Sequence, residues 1–400
     1  MKSSTGSRSV RWSWLLLALG LTAPAWAGEL PPVKIGLVVP MAGEAGRVGQ
    51  SMRQAAEMAV ADWTEKLGRK AELALGDDQF DPKQAVVAAE RLVQDGVWGV
   101  VGHFYSSSSI PASAVYHQAG IPQITPTSTH PRLTEQGFDS VFRVSGRDDQ
   151  HAISAADFIL SRLKARRIAV IHDRTEYGRT LAETLIRMLE QRSAKRIVAI
   201  EAVAQGDKDF SAVIARLKAV EPDVVYFGGI FREGGYLIRQ MRQAGLQAAF
   251  VSGDGVLDPE FVKIAGEEAA SGAYLTFAPD PRLLPSAQPF IRRFEERYGP
   301  IGPYVLYTYD AMGVLLRAIH VAKPLTNTKE ELRKVLKVMH TNPYDGTLGR
   351  LRWDKRGDLA TSPYVVYVTR KGGSLQGWFE QFTGIPTPAS GAKPAGRPSN

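Results

Sequence analysis

Cysteine is absent from the 400 residues, and that single absence removes several classes of protein. There is no disulfide framework, no zinc–cysteine or iron–sulfur centre, no cysteine nucleophile and no N-terminal cysteine to carry a lipid anchor. Long apolar runs are missing as well: beyond the first 27 residues no stretch approaches the roughly 20 that a membrane helix needs. The common enzyme signatures are lacking too. There is no G-x-S-x-G elbow, no P-loop, no H-E-x-x-H, and no G-x-G-x-x-G after a strand. Gly43, Gly46 and Gly49 recur every third residue after the first strand, which is not the dinucleotide spacing. The seven histidines show no metal-ligand spacing and read as structural or surface groups. No metal and no cofactor is expected.

What remains is an ordinary globular balance, with 38 Gly, 24 Pro, 44% hydrophobic and 22% charged residues. At roughly 150 residues per domain this length suits two or three domains, each able to bury a core. Residues 1–27 read as a secretory signal. Lys2, Arg8 and Arg11 form a positive start without an acid, Trp12 to Leu21 is apolar, and Ala25-Trp26-Ala27 fits small-x-small cleavage. The apolar run is too short for a span, so export to the periplasm of a soluble protein is expected. Removing those three cations from the formal +8 leaves +5. The remaining bases alternate with acids, as in Lys329-Glu-Glu-Leu-Arg-Lys334 and Arg292-Arg-Phe-Glu-Glu-Arg297. That pattern reads as solvated helix faces and not as a nucleic-acid surface.

Strands and helices alternate along the chain. Val33 to Val39 is a β-branched buried-strand run, followed by a Gly-rich loop and a helix with Met52, Ala55, Ala56, Ala59 and Trp63 on one face. Asp81 as N-cap, Pro82 at the first helical position and Gly96 beyond the end punctuate the next helix. Further strands are expected at 71–75, 97–101, 121–126, 141–144, 167–172, 196–202, 223–227 and 248–252, with helices at 110–118, 179–192, 210–220 and 234–244 between them. Beyond Phe277 come Pro-rich connections and helices near 286–298 and 304–322. A capping box at Thr328 and Glu331 opens another that ends near His340, and strand-like runs follow within 346–369. Such alternation predicts an α/β fold of two doubly wound, parallel-sheet lobes. From about Thr383 the chain is Pro, Ala, Gly and Ser with little apolar content, and a disordered tail over 383–400 is expected.

Asp77-Asp78-Gln-Phe-Asp81 matches a D-D-x-x-D metal pattern, but it straddles a strand end and a helix cap, so Asp81 already has a structural role. Polar residues at strand C-terminal ends are more telling, because open α/β sheets bind ligands there. Gly102-His-Phe-Tyr-Ser-Ser-Ser-Ser109 and Thr125-Pro-Thr-Ser-Thr129 supply hydroxyls and a helix N-terminus suited to a carboxylate. Tyr177, Ile230 and Asp254 follow three later strands. Each alone could be a turn residue. Five such ends, with hydroxyls in one half and a lone acid in the other, are less easily dismissed.

Six segments carry a resemblance: residues 77–84 (Asp-Asp-Gln-Phe-Asp-Pro-Lys-Gln), 102–108, 124–129 (Ile-Thr-Pro-Thr-Ser-Thr), 172–178 (His-Asp-Arg-Thr-Glu-Tyr-Gly), 208–211 (Lys-Asp-Phe-Ser) and 353–358 (Trp-Asp-Lys-Arg-Gly-Asp). They are similar to those of the periplasmic leucine/isoleucine/valine-binding proteins of ABC transporters, from about Val33 to Tyr367. The resemblance implies a type I periplasmic binding fold, two lobes joined by a three-segment hinge that closes on an amino acid. Lobe 1 would comprise 33–146 with 278–345, and lobe 2 would comprise 147–277 with 346–382. The family's carboxylate site falls on Ser106, with Thr127 and Thr129 beside it. Its ammonium-binding acid, a glutamate there, falls on Asp254, and the aromatic wall of the second lobe on Tyr177. Side-chain pocket positions fall on Val48, Phe104, Tyr105 and Tyr304, while Val48 and Ile230 stand where the family has tyrosines. The family's first-lobe disulfide pair falls on Phe80 and Tyr105, where two aromatics can pack in place of the bridge.

The resemblance implies a binding protein, not an enzyme. It would be a monomer that delivers a branched-chain or other apolar amino acid to a membrane permease. Leucine or phenylalanine is expected over valine or alanine, with no second buried charge to receive an acidic or basic side chain. A periplasmic sensory module for a membrane receptor, a binder of some other carboxylate, and an exported hydrolase using the Ser-rich loop remain alternatives. The last lacks a His or acid pattern placed to activate a serine.

Overall fold

The computed structural model describes Met1 and residues 31–43, 45–192, 196–370 and 379–381. Apart from Met1, the expected signal segment and the tail lie outside these residues. The first sheet follows from short hydrophobic runs that have helices on both sides and therefore need no polar face. It contains β1 (Val33–Val38), β2 (Ala71–Gly76), β3 (Gly99–Val101), β4 (Gln123–Thr125) and β5 (Val141–Arg143), all parallel, in the order β2-β1-β3-β4-β5. Between them run α1 (Gly46–Leu67), α2 (Pro82–Gln94), α3 (Ser106–Ala119) and the short α4 (Arg132–Glu135). At α2 the cap is as expected: the Asp81 carboxylate accepts the amide hydrogens of Lys83 (2.6 Å) and Gln84 (3.2 Å), with Pro82 at the first position.

The chain then passes to the second sheet. There α5 (Asp148–Asp157), running into a π turn at Phe158–Arg162, precedes β6 (Ile168–His172), α6 (Glu176–Arg192), β7 (Ile197–Ala202) and α7 (Ser211–Ala219). Next come β8 (Val224–Gly228), α8 (Phe231–Gln243), β9 (Ala249–Ser252), α9 (Pro259–Ala265), α10 (Glu267–Ala270) and β10 (Tyr274–Phe277). The chain returns to the first sheet with α11 (Gln288–Tyr298), α12 (Val305–Ala322) and α13 (Lys329–Thr341), then forms a small hairpin of β11 (Tyr344–Gly346) and β12 (Gly349–Leu351). It crosses a third time to add β13 (Val365–Thr369) and β14 (Phe379–Gln381) antiparallel to the second sheet's edge, whose order is β14-β13-β10-β9-β8-β6-β7. The fold is α/β, with two predominantly parallel sheets and three crossings between them.

The crossings are fastened by charge. Asp358, in the third, takes the Arg143 Nε at 2.8 Å, from the end of β5, and the Arg147 guanidinium at 2.7 Å, from the first crossing. Burial pulls the Asp358 pKa up, but the two guanidiniums and the Thr134 hydroxyl hold it below its ordinary value. The same Arg143 donates to the carbonyls of Ser128 (2.7 Å) and His130 (3.0 Å), which fixes the loop after β4.

Two expectations change. The helix after β3 begins at Ser106, not near 110, so the Ser-rich run is its first turn and Pro111 lies inside it. At α13, Thr328 caps the Glu331 amide, but the Glu331 carboxylate turns to the Leu325 amide at 3.0 Å, so only half of the capping box forms.

Candidate functional site

A small cleft of about 40 Å³ lies where the two halves meet. Its first-sheet wall is built from the ends of β3 and β4. Phe104 and Tyr105 precede α3, Ser106 heads it, and Thr127 and Thr129 follow β4. Ser106 and Ser107 open a helix of 14 residues, where backbone N–H groups have no intrahelical acceptor and the helix dipole favours an anion. Thr127 donates its hydroxyl hydrogen to the Phe104 carbonyl at 2.5 Å, so its free capacity is as an acceptor. Thr129 Oγ1, by contrast, is buried with no hydrogen bond of good geometry.

The facing wall comes from the second sheet: Tyr177 of α6, Ile230 and Phe231 at the start of α8, and the turn that carries Asp254 and Gly255. Tyr177 donates its hydroxyl hydrogen to Asp254 Oδ1 at 2.8 Å and accepts the Gly255 amide at 3.0 Å. Tyr304, which precedes α12, closes one side by donating to the Asp254 carbonyl at 3.2 Å. Phe104 meets the Tyr304 ring edge-on at 5.4 Å. Phe80 and Tyr105 also pack edge-on, with ring centroids 4.8 Å apart.

Asp254 has no basic partner. Burial pushes its carboxyl up to about 7, against the pull of the Tyr177 hydroxyl and nearby amides. His151 Nε2 lies 3.6 Å from Asp254 Oδ1, but burial holds that imidazole down to about 3, so it is neutral at physiological pH. Its Nδ1 meets the Thr276 hydroxyl at 3.1 Å.

The expectation of a lone acid is corrected here. Asp148, at the first position of α5, is fully buried, and neither of its carboxylate oxygens has a hydrogen-bond partner of good geometry. Burial first, and the Asp254 charge in addition, push it up to about 8, while the neighbouring Thr129 hydroxyl and Arg143 pull the other way. Thr129 Oγ1, both Asp148 oxygens and His151 Nε2 are thus buried without a hydrogen bond of good geometry, although Thr129 and Arg143 both act on Asp148. Sequence reading missed Asp148 and His151, because only the folding of the first crossing against the end of β9 brings them to this place.

Nine of the ten expected site residues line this cleft: Phe104, Tyr105, Ser106, Thr127, Thr129, Tyr177, Ile230, Asp254 and Tyr304. Val48 does not. It lies in the first turn of α1, in the wall of a neighbouring cavity of about 390 Å³ that shares Leu257 and Asp258 with the cleft. Tyr177 also differs from a plain aromatic wall, since its hydroxyl holds the acid.

The two halves are drawn together on both rims. Arg47 reaches Glu260 across one side at 3.5 Å. On the other, His130 meets the Thr180 hydroxyl at 2.8 Å and lies 3.6 Å from Glu176. The D-D-x-x-D run makes no cluster. Asp78 pairs with buried His103 at 2.8 Å and Asp81 caps α2, and among the described residues no group of three acids or histidines could hold a metal ion.

Paired parallel sheets with a charged, hydroxyl-lined cleft between them define a type I periplasmic binding fold, a class that closes on small solutes. The chain belongs to the periplasmic binding protein family, whose model matches residues 32–374. It is 41% identical over 360 residues to an amino acid binding protein of Pseudomonas aeruginosa, covering 88% of this chain and 94% of that one. It is 35% identical to the Leu/Ile/Val-binding protein of Escherichia coli, covering 84% and 90%. Among solved structures, the leucine-binding protein LivK of Thermotoga maritima superposes with a TM-score of 0.78 at 28% identity, covering 88% and 97%.

Proposed function

We propose that the protein is an exported solute-binding subunit of an ABC transporter, which holds a branched-chain or other apolar α-amino acid between its lobes and presents it to a membrane permease. The observation that carries this reading is the pairing of two opposite demands in one cleft. One wall offers hydroxyls and a helix N-terminus; the other buries Asp254 with no cation. A zwitterion answers both, with its carboxylate at Ser106 and Thr129 and its ammonium at Asp254. Thr127 contributes acceptor capacity, and Phe104, Tyr105, Ile230 and Tyr304 enclose the side chain. The relatives' amino-acid-binding names agree with that ligand class.

The same imbalance gives closure a direction. In the empty closed form, burial disfavours the charge of both Asp254 and Asp148, whose carboxyls are pushed up to about 7 and 8, and opening and hydration of the cleft relieve that cost. A ligand ammonium removes that penalty, so the closed form becomes the liganded form. The lobes are 33–146 with 278–345 and 147–277 with 346–382, and the three crossings are the hinge. The protein acts as a periplasmic monomer after removal of 1–27, and it is a binder and not an enzyme. In support, buried His103, His130 and His151 bond to Asp78, Thr180 and Thr276, and none of them to Ser106. The test is a thermal-shift panel across the twenty amino acids, with mass spectrometry of whatever small molecule co-purifies. Stabilisation by apolar amino acids is expected; stabilisation by acidic or basic ones alone overturns the reading.

A further inference from the structure

The cleft holds about 40 Å³, little more than the share of one water molecule in the liquid. Ligand pockets in proteins run from about 300 to 1,000 Å³. The neighbouring cavity of about 390 Å³ falls in that range, and it shares two wall residues, Leu257 and Asp258, with the cleft. It lies between the same two halves: the first turns of α1, Leu306 of α12 and the loop at 300–303 form one side, and the 257–259 segment forms the other.

Its chemistry narrows the occupant. Val48, Phe277, Ile301 and Leu306 give apolar walls, and both cations there are already paired. Arg282 is paired with Asp280 at 2.6 Å, and Arg47 with Glu260 at 3.5 Å. The Asp258 carboxylate accepts the Glu260 amide at 2.7 Å. An anionic group entering the cavity would find both cations paired, and a cationic one would meet only Asp258, whose charge Arg47 already offsets in part, whereas an uncharged apolar group finds surface to bury.

We propose that the ligand site continues past Leu257 and Asp258 into this cavity, and that the ligand is an α-amino acid whose uncharged side chain is longer than leucine's and carries an aryl or extended alkyl group into it. The proposal rests on the cleft being an α-amino-acid site. Val48 is then the residue that leaves the passage open, since a valine fills far less of the first turn's cavity face than an aromatic would.

The test is calorimetry on the exported chain with leucine, phenylalanine, homophenylalanine and 4-phenylphenylalanine, for the wild type and for Ser51→Phe and Gln54→Phe. Both positions lie on the cavity face of α1 and are only partly buried, so the substitutions add bulk there without entering the core. The expected result is that the wild type binds 4-phenylphenylalanine at least as tightly as leucine. In each variant, the affinity for it relative to leucine falls by tenfold or more. A wild type that binds leucine but loses tenfold or more along the series overturns the extension alone. Variants that leave the ratio unchanged overturn it too. Failure of the wild type to bind any of the four overturns the extension together with the amino-acid reading on which it rests. If a variant does not fold, the wild-type series decides by itself.

Discussion

Replacing Asp254 by asparagine removes one charge from the cleft while keeping an oxygen that can accept the Tyr177 hydroxyl, which now lies at 2.8 Å. With an amino acid bound, the loss is that of a charge-assisted hydrogen bond inside a buried pair. Such bonds are worth about 1.5–3 kcal/mol, and breaking a buried pair costs about 3–5 kcal/mol. The affinity for leucine should therefore drop by roughly 100-fold or more. Without ligand the sign reverses. Burial raises Asp254 from 3.8 to about 7, so ionising it in the closed, empty cleft costs on the order of 4 kcal/mol above pH 8. Asparagine carries no such penalty. The variant should melt at or above the wild-type temperature when empty, and gain little on adding leucine. Calorimetry and thermal shift read both halves of this signature. Leucine affinity within threefold of wild type would refute the assignment of Asp254 to the ammonium. A variant that melts well below wild type when empty would refute the claim that the acid is a burden held for the ligand.

The other predictions concern pH, a close backbone approach and a rim contact. Asp254 and Asp148 keep protons in the closed fold up to about pH 7 and 8 that the unfolded chain releases near pH 4. Unliganded stability should therefore fall as pH rises from about 7.5 to 9, a window above the unfolded-state titration, near 6.5, of the histidines that burial depresses; Asp148→Asn should flatten the slope, and chemical denaturation showing stability rising through that window would contradict the account. Gly49→Ala should cost several kcal/mol or abolish folding, because a Cβ there would lie 1.7 Å from the Pro40 carbonyl oxygen; the denaturation midpoint measures it. Arg47→Ala should weaken ligand binding no more than about fivefold, since a half-exposed pair contributes at most about 1 kcal/mol, with the change in the dissociation rate.

The fold was legible where its signals are local. Asp81 and Pro82 define the start of α2 by side-chain chemistry that acts within three residues, and the β-branched run at Val33 marks β1. Gly49 was visible as part of a three-residue repeat, but its reason, the approach of the Pro40 carbonyl, exists only once the loop is folded. The start of α3 was misplaced because a serine run with Pro111 downstream has weak helix propensity, and packing overrides it. For the site, strand ends located nine residues of the cleft, since an α/β sheet presents its loops at one edge. Val48 borders the adjoining cavity and not the cleft itself, a distinction that position along α1 does not carry. Asp148 was missed because its neighbour Thr129 comes from a different strand end, and a buried acid at a helix start looks like an ordinary capping residue in sequence.

The central claim is that one cleft recognises both charges of an amino acid. Calorimetry with leucine, with 4-methylpentanoate, which lacks the ammonium, and with isopentylamine, which lacks the carboxylate, tests it most directly. The account predicts that leucine binds and that each analogue loses 100-fold or more. An analogue that binds within tenfold of leucine would contradict it.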